Sequence, residues 1–243
     1  MPSKLIVFSG LDGAGKSTQL DLLRRRLDAA RIKHVTYWSR GGYTTGMETA
    51  KTMVRRLTGR RILPPAGDSP ARTQQLKRSW QRRLWLRLAI VDLWALYAIW
   101  FRMHLLLGHH VLADRYWQDT LLDFRLNFPH ENVESWWLWK SLVASSRTPD
   151  HAFLLTIPVE ESERRGTQKH EPFPTPPQQL RHRAVQYEAW AAPGNSNTQW
   201  HWLDGLRDSQ GLADEIWTNV KDATRGSSGT PSSVELTRDS KLA

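Results

Sequence analysis

The 243-residue chain has no cysteine. That excludes disulfide staples and thiolate metal sites, and fits a reducing, cytoplasmic setting. A secretory leader is not expected either. Met1-Pro2-Ser3-Lys4 runs straight into a strand-like segment, without an apolar core region or a small-residue cleavage site. Long hydrophobic runs are scarce. Leu88 to Phe101 is apolar except for Asp92, but a membrane span takes roughly 20 such residues, and a carboxylate in hydrocarbon is costly. This stretch therefore reads as a buried core helix, and no membrane partner is expected. The nine histidines show no metal-ligand spacing. Acidic residues are outnumbered, 24 against 34 Lys and Arg, for a net charge of +10.

That excess points to polyanions. The arginines are scattered, however, in runs such as Arg24 to Arg26, Arg55-Arg56, Arg82-Arg83 and Arg164-Arg165. No RRM, KH or zinc-finger pattern accompanies them, so small polyanions such as nucleotides fit better than nucleic acid. The length suits one α/β domain with its own core.

Lys4 to Ser9 is a short apolar run of the kind that forms a buried parallel strand. Ser17 to Ala30 reads as a helix with Leu20, Leu23 and Leu27 on one face. Further strands are expected at His34 to Trp38, His110 to Ala113, His151 to Ile157 and Gln199 to Leu203. Helices are expected at Met47 to Thr58, Thr73 to Leu107, twice within Gln118 to Ser146, and at Val159 to Arg165, Gln178 to Ala192 and Ser209 to Val220. Gly59 to Arg72 and Gly166 to Pro177 are Pro-containing loops. Alternating strands and helices imply a parallel sheet covered on both faces. Residues 223–243, rich in Ser, Gly and Thr, read as a disordered tail after a domain of 1–222.

The most specific motif is Gly10-Leu11-Asp12-Gly13-Ala14-Gly15-Lys16-Ser17-Thr18, a Walker A P-loop. Gly10, Gly13 and Gly15 let backbone N–H groups turn inward around phosphate oxygens, and the helix that follows adds its positive end. Ala14 belongs to the same nucleotide-binding turn. Lys16 would reach the β- and γ-phosphates, and Ser17 would ligate Mg²⁺ beside Thr18. Val111-Leu112-Ala113-Asp114 is an apolar strand ending in an acid, placed to hold Mg²⁺. Arg115 and Arg40 fall at the carboxyl ends of strands, where open α/β sheets bind ligands. Arg164, Arg165 and Lys169 are candidates for a mobile cationic lid over about 164–177. The expected cofactors are ATP and Mg²⁺.

In this order the motifs resemble those of thymidylate kinase and the wider nucleoside monophosphate kinase group, over roughly Lys4 to Val220. The residues that carry the resemblance are Gly10 to Gln19, Arg40-Gly41-Gly42, Asp114-Arg115-Tyr116 and the Arg-rich stretch after the fourth strand. It implies a three-layer P-loop NTPase fold with a five-stranded parallel sheet and a short lid. It also implies transfer of the ATP γ-phosphate to a nucleoside monophosphate, and a homodimer. Asp12, with Asp114, would arrange Mg²⁺ and the acceptor, and Arg40, Asp92, Arg115, Tyr116 and Asp119 would form the acceptor side.

The sequence departs from that pattern. Ser9 stands where the family usually has Glu, and Ala89 and Leu93 stand where a base-holding aromatic and an arginine are expected. Two alternatives follow. One is a kinase acting on a hydroxyl of a nucleoside, sugar or other small metabolite, with Asp92, Asp114 or Asp119 as base. The other is a nucleotide-dependent protein that binds polyanions.

Overall fold

A computed structural model describes residues 2–38, 78–168, 176–191 and 198–222. Arg40, the helix expected at Met47 to Thr58, the loop Gly59 to Arg72, Lys169 and the tail 223–243 lie outside them.

Strand β1 (Leu5–Gly10) is buried at every position, as its unbroken apolar run requires. Leu5 and Val7 enter one core, Ile6 and Phe8 the other, so the strand has helices on both faces. It is the middle of five: β2 (His34–Trp38), β3 (His110–Asp114), β1, β4 (His151–Thr156) and β5 (Trp200–Asp204), in the order β2-β3-β1-β4-β5. Every pairing is parallel. The chain is thus α/β, with a five-stranded all-parallel sheet flanked by helices.

Helices α1 (Lys16–Ala29), α7 (Pro177–Ala191) and α8 (Ser209–Asp222) contribute to the core containing Ile6 and Phe8. On the other face lies a continuous helical stretch made of α2 (Ser79–Trp94), a π-helical segment (Ala95–Trp100) and α3 (Phe101–Leu106). With it pack α4 (Trp117–Asn127) and α5 (Trp137–Ser145). Helix α6 (Val159–Gln168) follows β4. The loop expected from Gly166 therefore begins later: its first three residues continue the helix, where the i, i+4 pair Arg165–Glu161 supports the last turn.

The expected core helix is confirmed in its inward face, where Trp85, Leu86, Ala89, Ile90, Leu93, Tyr97, Phe101 and Leu105 are buried. Steps of four residues from Leu93 through Tyr97 and Phe101 to Leu105 would drift off one face of a helix with 3.6 residues per turn. The wider π turn absorbs that drift. The helical stretch is longer than the 14-residue run suggests. Ser79–Leu106 is 28 residues and, among the described residues, the one helix long and apolar enough to cross a membrane by length and composition.

Candidate functional site

The site forms at the carboxyl end of the sheet, around the turn from β1 into α1. At Gly10 φ is +133°, and a Cβ would lie 2.1 Å from the Leu155 carbonyl oxygen on β4. Only glycine fits there. The turn leads to Gly15, the N-cap of α1, which has left-handed backbone and no side-chain cap. The first N–H groups of a helix lack intrahelical acceptors, so the uncapped end of α1 suits an anion.

The outer side of the glycine-rich turn is tied down. Ser162 Oγ donates to the Asp12 carbonyl (2.6 Å), and Arg165 Nη1 donates to the Gly13 carbonyl (2.9 Å). Arg165 also reaches the Gly205 carbonyl at 3.3 Å and is itself oriented by Glu161. Gly205, just beyond β5, comes so close that a Cβ would lie 2.6 Å from the Ala14 carbonyl oxygen. Neither Gly205 nor Ser162 stands out in the sequence, although the rule that ligands gather at the carboxyl ends of strands points to the segment after β5.

Inside the turn, Lys16 is buried and its Nζ donates to the carbonyls of Gly10 (2.9 Å) and Leu11 (2.7 Å). Burial, reinforced by Arg115, lowers its pKa to about 8, while Asp12, Asp114 and Asp119 work in the other direction. Opposite stands Asp114, at the end of β3 in register with Phe8. Burial raises the pKa of its carboxyl despite the nearby Lys16 and Arg115. Its Oδ1 is buried without a hydrogen-bond partner.

Arg115 adopts φ +75°, an uncommon conformation for a residue with a side chain. Its N–H donates to the Phe8 carbonyl at 2.8 Å, which holds the turn, and its guanidinium pairs with Asp12. Burial opposes its charge, but Tyr187, Asp12, Asp119 and Asp123 more than offset this and raise its pKa.

Asp12, Gly13, Gly15, Lys16, Ser17, Thr18, Asp114, Arg115 and one unforeseen residue, Trp38, line a cavity of about 130 Å³. A larger cleft, about 440 Å³, lies near Ser3 and Arg147, where strands β1 and β4 begin. We place the site in the smaller cavity because the charged groups converge there.

The other predicted residues take different positions. Asp119 is buried behind the site, accepting from Ser9 Oγ (2.6 Å), the Tyr116 N–H (3.0 Å) and the Tyr187 hydroxyl (2.7 Å). Its carboxylate caps α4 and anchors the turn. The Tyr116 ring packs against Tyr97 and Phe101 in the core, with its hydroxyl donating to the Arg147 carbonyl. Asp92 is half-buried on α2 and does not line the cavity. Arg164 is exposed and paired with Glu161, also away from the cavity. Ala89 and Leu93 are fully buried in the core.

No protein-family model matches this sequence, and no curated protein matches it either. The chemistry of the site is therefore read from the groups themselves. A buried ammonium, an uncapped helix start, two hydroxyls and a guanidinium surround a carboxylate with one oxygen unbonded. The cations suit a polyphosphate. The Asp114 carboxylate, which lines the same cavity as Ser17, supplies the oxygen chemistry that suits a hard divalent cation such as Mg²⁺.

Proposed function

We propose that the protein is an ATP- and Mg²⁺-dependent phosphotransferase of the P-loop type, resembling thymidylate kinase, that transfers the γ-phosphate to a nucleoside monophosphate. The observation that carries this reading is the convergence of Lys16, Ser17, Asp114 and Arg115 on one cavity at the start of α1.

Lys16 would exchange the Gly10 and Leu11 carbonyls for β- and γ-phosphate oxygens. The N–H groups that open α1 would hold the β-phosphate. Ser17 and Asp114 would hold Mg²⁺, which neutralises phosphate charge as it shifts in the transition state. Arg115, kept cationic and aimed by Asp12, faces the incoming acceptor. An acceptor phosphate oxygen bonds to the γ-phosphorus as the bond to the bridging oxygen of ADP breaks. A phosphate acceptor is already anionic, so positioning and charge suffice. Arg165 fastens the Gly13 carbonyl, and with it the turn.

A second reading has its own observation. Of the three carboxylates able to act as base toward a hydroxyl acceptor, Asp114 lines the cavity and has its pKa raised by burial, as a general base requires. Asp119 is committed to three donors. ADP formation should be measured with Mg²⁺·ATP against nucleoside monophosphates, nucleosides and sugars, with Lys16→Ala as the blank. Turnover on a monophosphate that the blank lacks supports the first reading. Turnover on hydroxyl compounds alone replaces it with the second, and no Lys16-dependent turnover defeats both.

A further inference from the structure

Trp38 closes the edge strand β2, and its Cα is in register with Asp114 on β3. Its side chain lines the cavity with Lys16, Ser17 and Thr18 and remains 54% exposed. Exposure alone says little in this chain, because Trp80, Trp100 and Trp137 are also exposed. What distinguishes Trp38 is its position: among the described residues lining this cavity, the others are small, polar or charged. A tryptophan held open beside a phosphate-binding cluster presents a flat apolar face with no other apolar side chain among the described lining residues to match it.

The cavity volume sharpens this. Sites that enclose a whole small molecule run to roughly 300–1,000 Å³, against about 130 Å³ here. Phosphate groups fit inside, and the remainder of a ligand must lie across the mouth. Strand order sets the direction. The glycine-rich turn follows the central strand; Arg165 and Gly205 close it on the β4–β5 side, and Trp38 stands on the β3–β2 side next to Asp114 and Arg115. The two flanks differ in chemistry, one made of backbone carbonyls and an arginine, the other of an open indole.

We infer that Trp38 is the stacking platform for a flat aromatic ring on the acceptor, a nucleobase, whose phosphate or sugar end points to Asp114 and Arg115. This rests on the phosphotransferase reading for the name "acceptor", but the ring contact is tested without turnover. Base–aromatic stacking is sequence-tolerant and large enough to measure, so losing it should weaken binding roughly 10- to 100-fold.

The test is calorimetric titration of the full chain with Mg²⁺ and a non-hydrolysable ATP analogue. It is then titrated with nucleoside monophosphates, nucleosides and, as a ringless control, ribose 5-phosphate. The wild type should bind at least one base-bearing compound, with ribose 5-phosphate at least tenfold weaker. Trp38→Ala should weaken the base-bearing compound 10- to 100-fold and leave the ATP analogue within twofold. Trp38→Phe should restore most of the affinity while abolishing the ligand-induced quench of indole emission. The inference is overturned if Trp38→Ala binds like wild type, if ribose 5-phosphate binds as well as the nucleotides, or if no base-bearing compound binds. Trp38-dependent binding without phosphate transfer would sustain the inference and defeat the kinase. Transfer that Trp38→Ala leaves unchanged would do the reverse.

Discussion

Two lysines are buried beyond the two ends of β1, and they do different things. Lys4, before the strand, donates to the Val220 carbonyl at 2.6 Å, near the end of α8, and lies 3.4 Å from His151. Lys16, after the strand, donates to carbonyls of its own turn and faces Asp114, Arg115 and a cavity. Burial lowers both pKa values. A buried cation is thus no signature of function. Lys4 neutralises the negative end of a helix and docks it to the sheet. Lys16 instead lines a cavity together with Ser17, Asp114 and Arg115.

The sharpest test of this contrast is to remove each ammonium. Lys16→Met should lower kcat/KM for phosphate transfer by about 10³-fold, the scale of losing a preorganised cation at a phosphoryl group, in an ADP-release assay. Lys4→Met should leave kcat within twofold. It should instead cost about 1–3 kcal/mol of stability, the usual loss for a buried hydrogen bond from a charged donor, read by urea denaturation. Equal effects of the two variants on turnover would erase the contrast.

Acid also probes the Lys4 end. Burial, helped by Lys4, lowers the His151 pKa from 6.5 to about 4, so this histidine is neutral in the folded chain. As pH falls below 6.5, the unfolded chain takes the proton first, and stability drops until about pH 4. The stability held above pH 6.5 should therefore decline by on the order of 2 kcal/mol at pH 5. Asp150, His110 and His201 surround this group, so the check is the difference between wild type and His151→Gln in denaturation at pH 7 and pH 5. The smallest effects separate two neighbouring arginines. Arg165→Ala should weaken binding of the ATP analogue about tenfold by freeing the Gly13 carbonyl. Arg164→Ala, which loses an exposed pair, should stay within about threefold.

The three inner strands were legible because buried parallel strands leave largely apolar runs, and all five expected strands are present within a residue or so at each end. The glycine-rich turn was legible because its geometry restricts the residue types that fit. The back wall was not. Asp119 reads in the sequence as an acceptor-side acid three residues after Tyr116, and only the fold brings Ser9 and Tyr187 to it. Arg164 and Arg165 are adjacent and chemically alike, yet helix geometry sends one to solvent and the other onto the turn. Trp38 ends a correctly placed strand, but whether an aromatic there faces core or cavity depends on its neighbours, which lie far away in sequence.

The close approach of Gly205 to Ala14 has a consequence for mutational scanning. With only 2.6 Å between a Cβ at 205 and the Ala14 oxygen, and 2.8 Å to Ile157 Cγ2, neither neighbour can yield without shifting the turn or the core. In a saturation library position 205 should therefore tolerate as few substitutions as the glycines of the motif itself, though it belongs to no recognisable motif. Second-site revertants should fall at Ile157, whose Cγ2 a smaller side chain lacks, rather than at Ala14, whose carbonyl oxygen every residue carries.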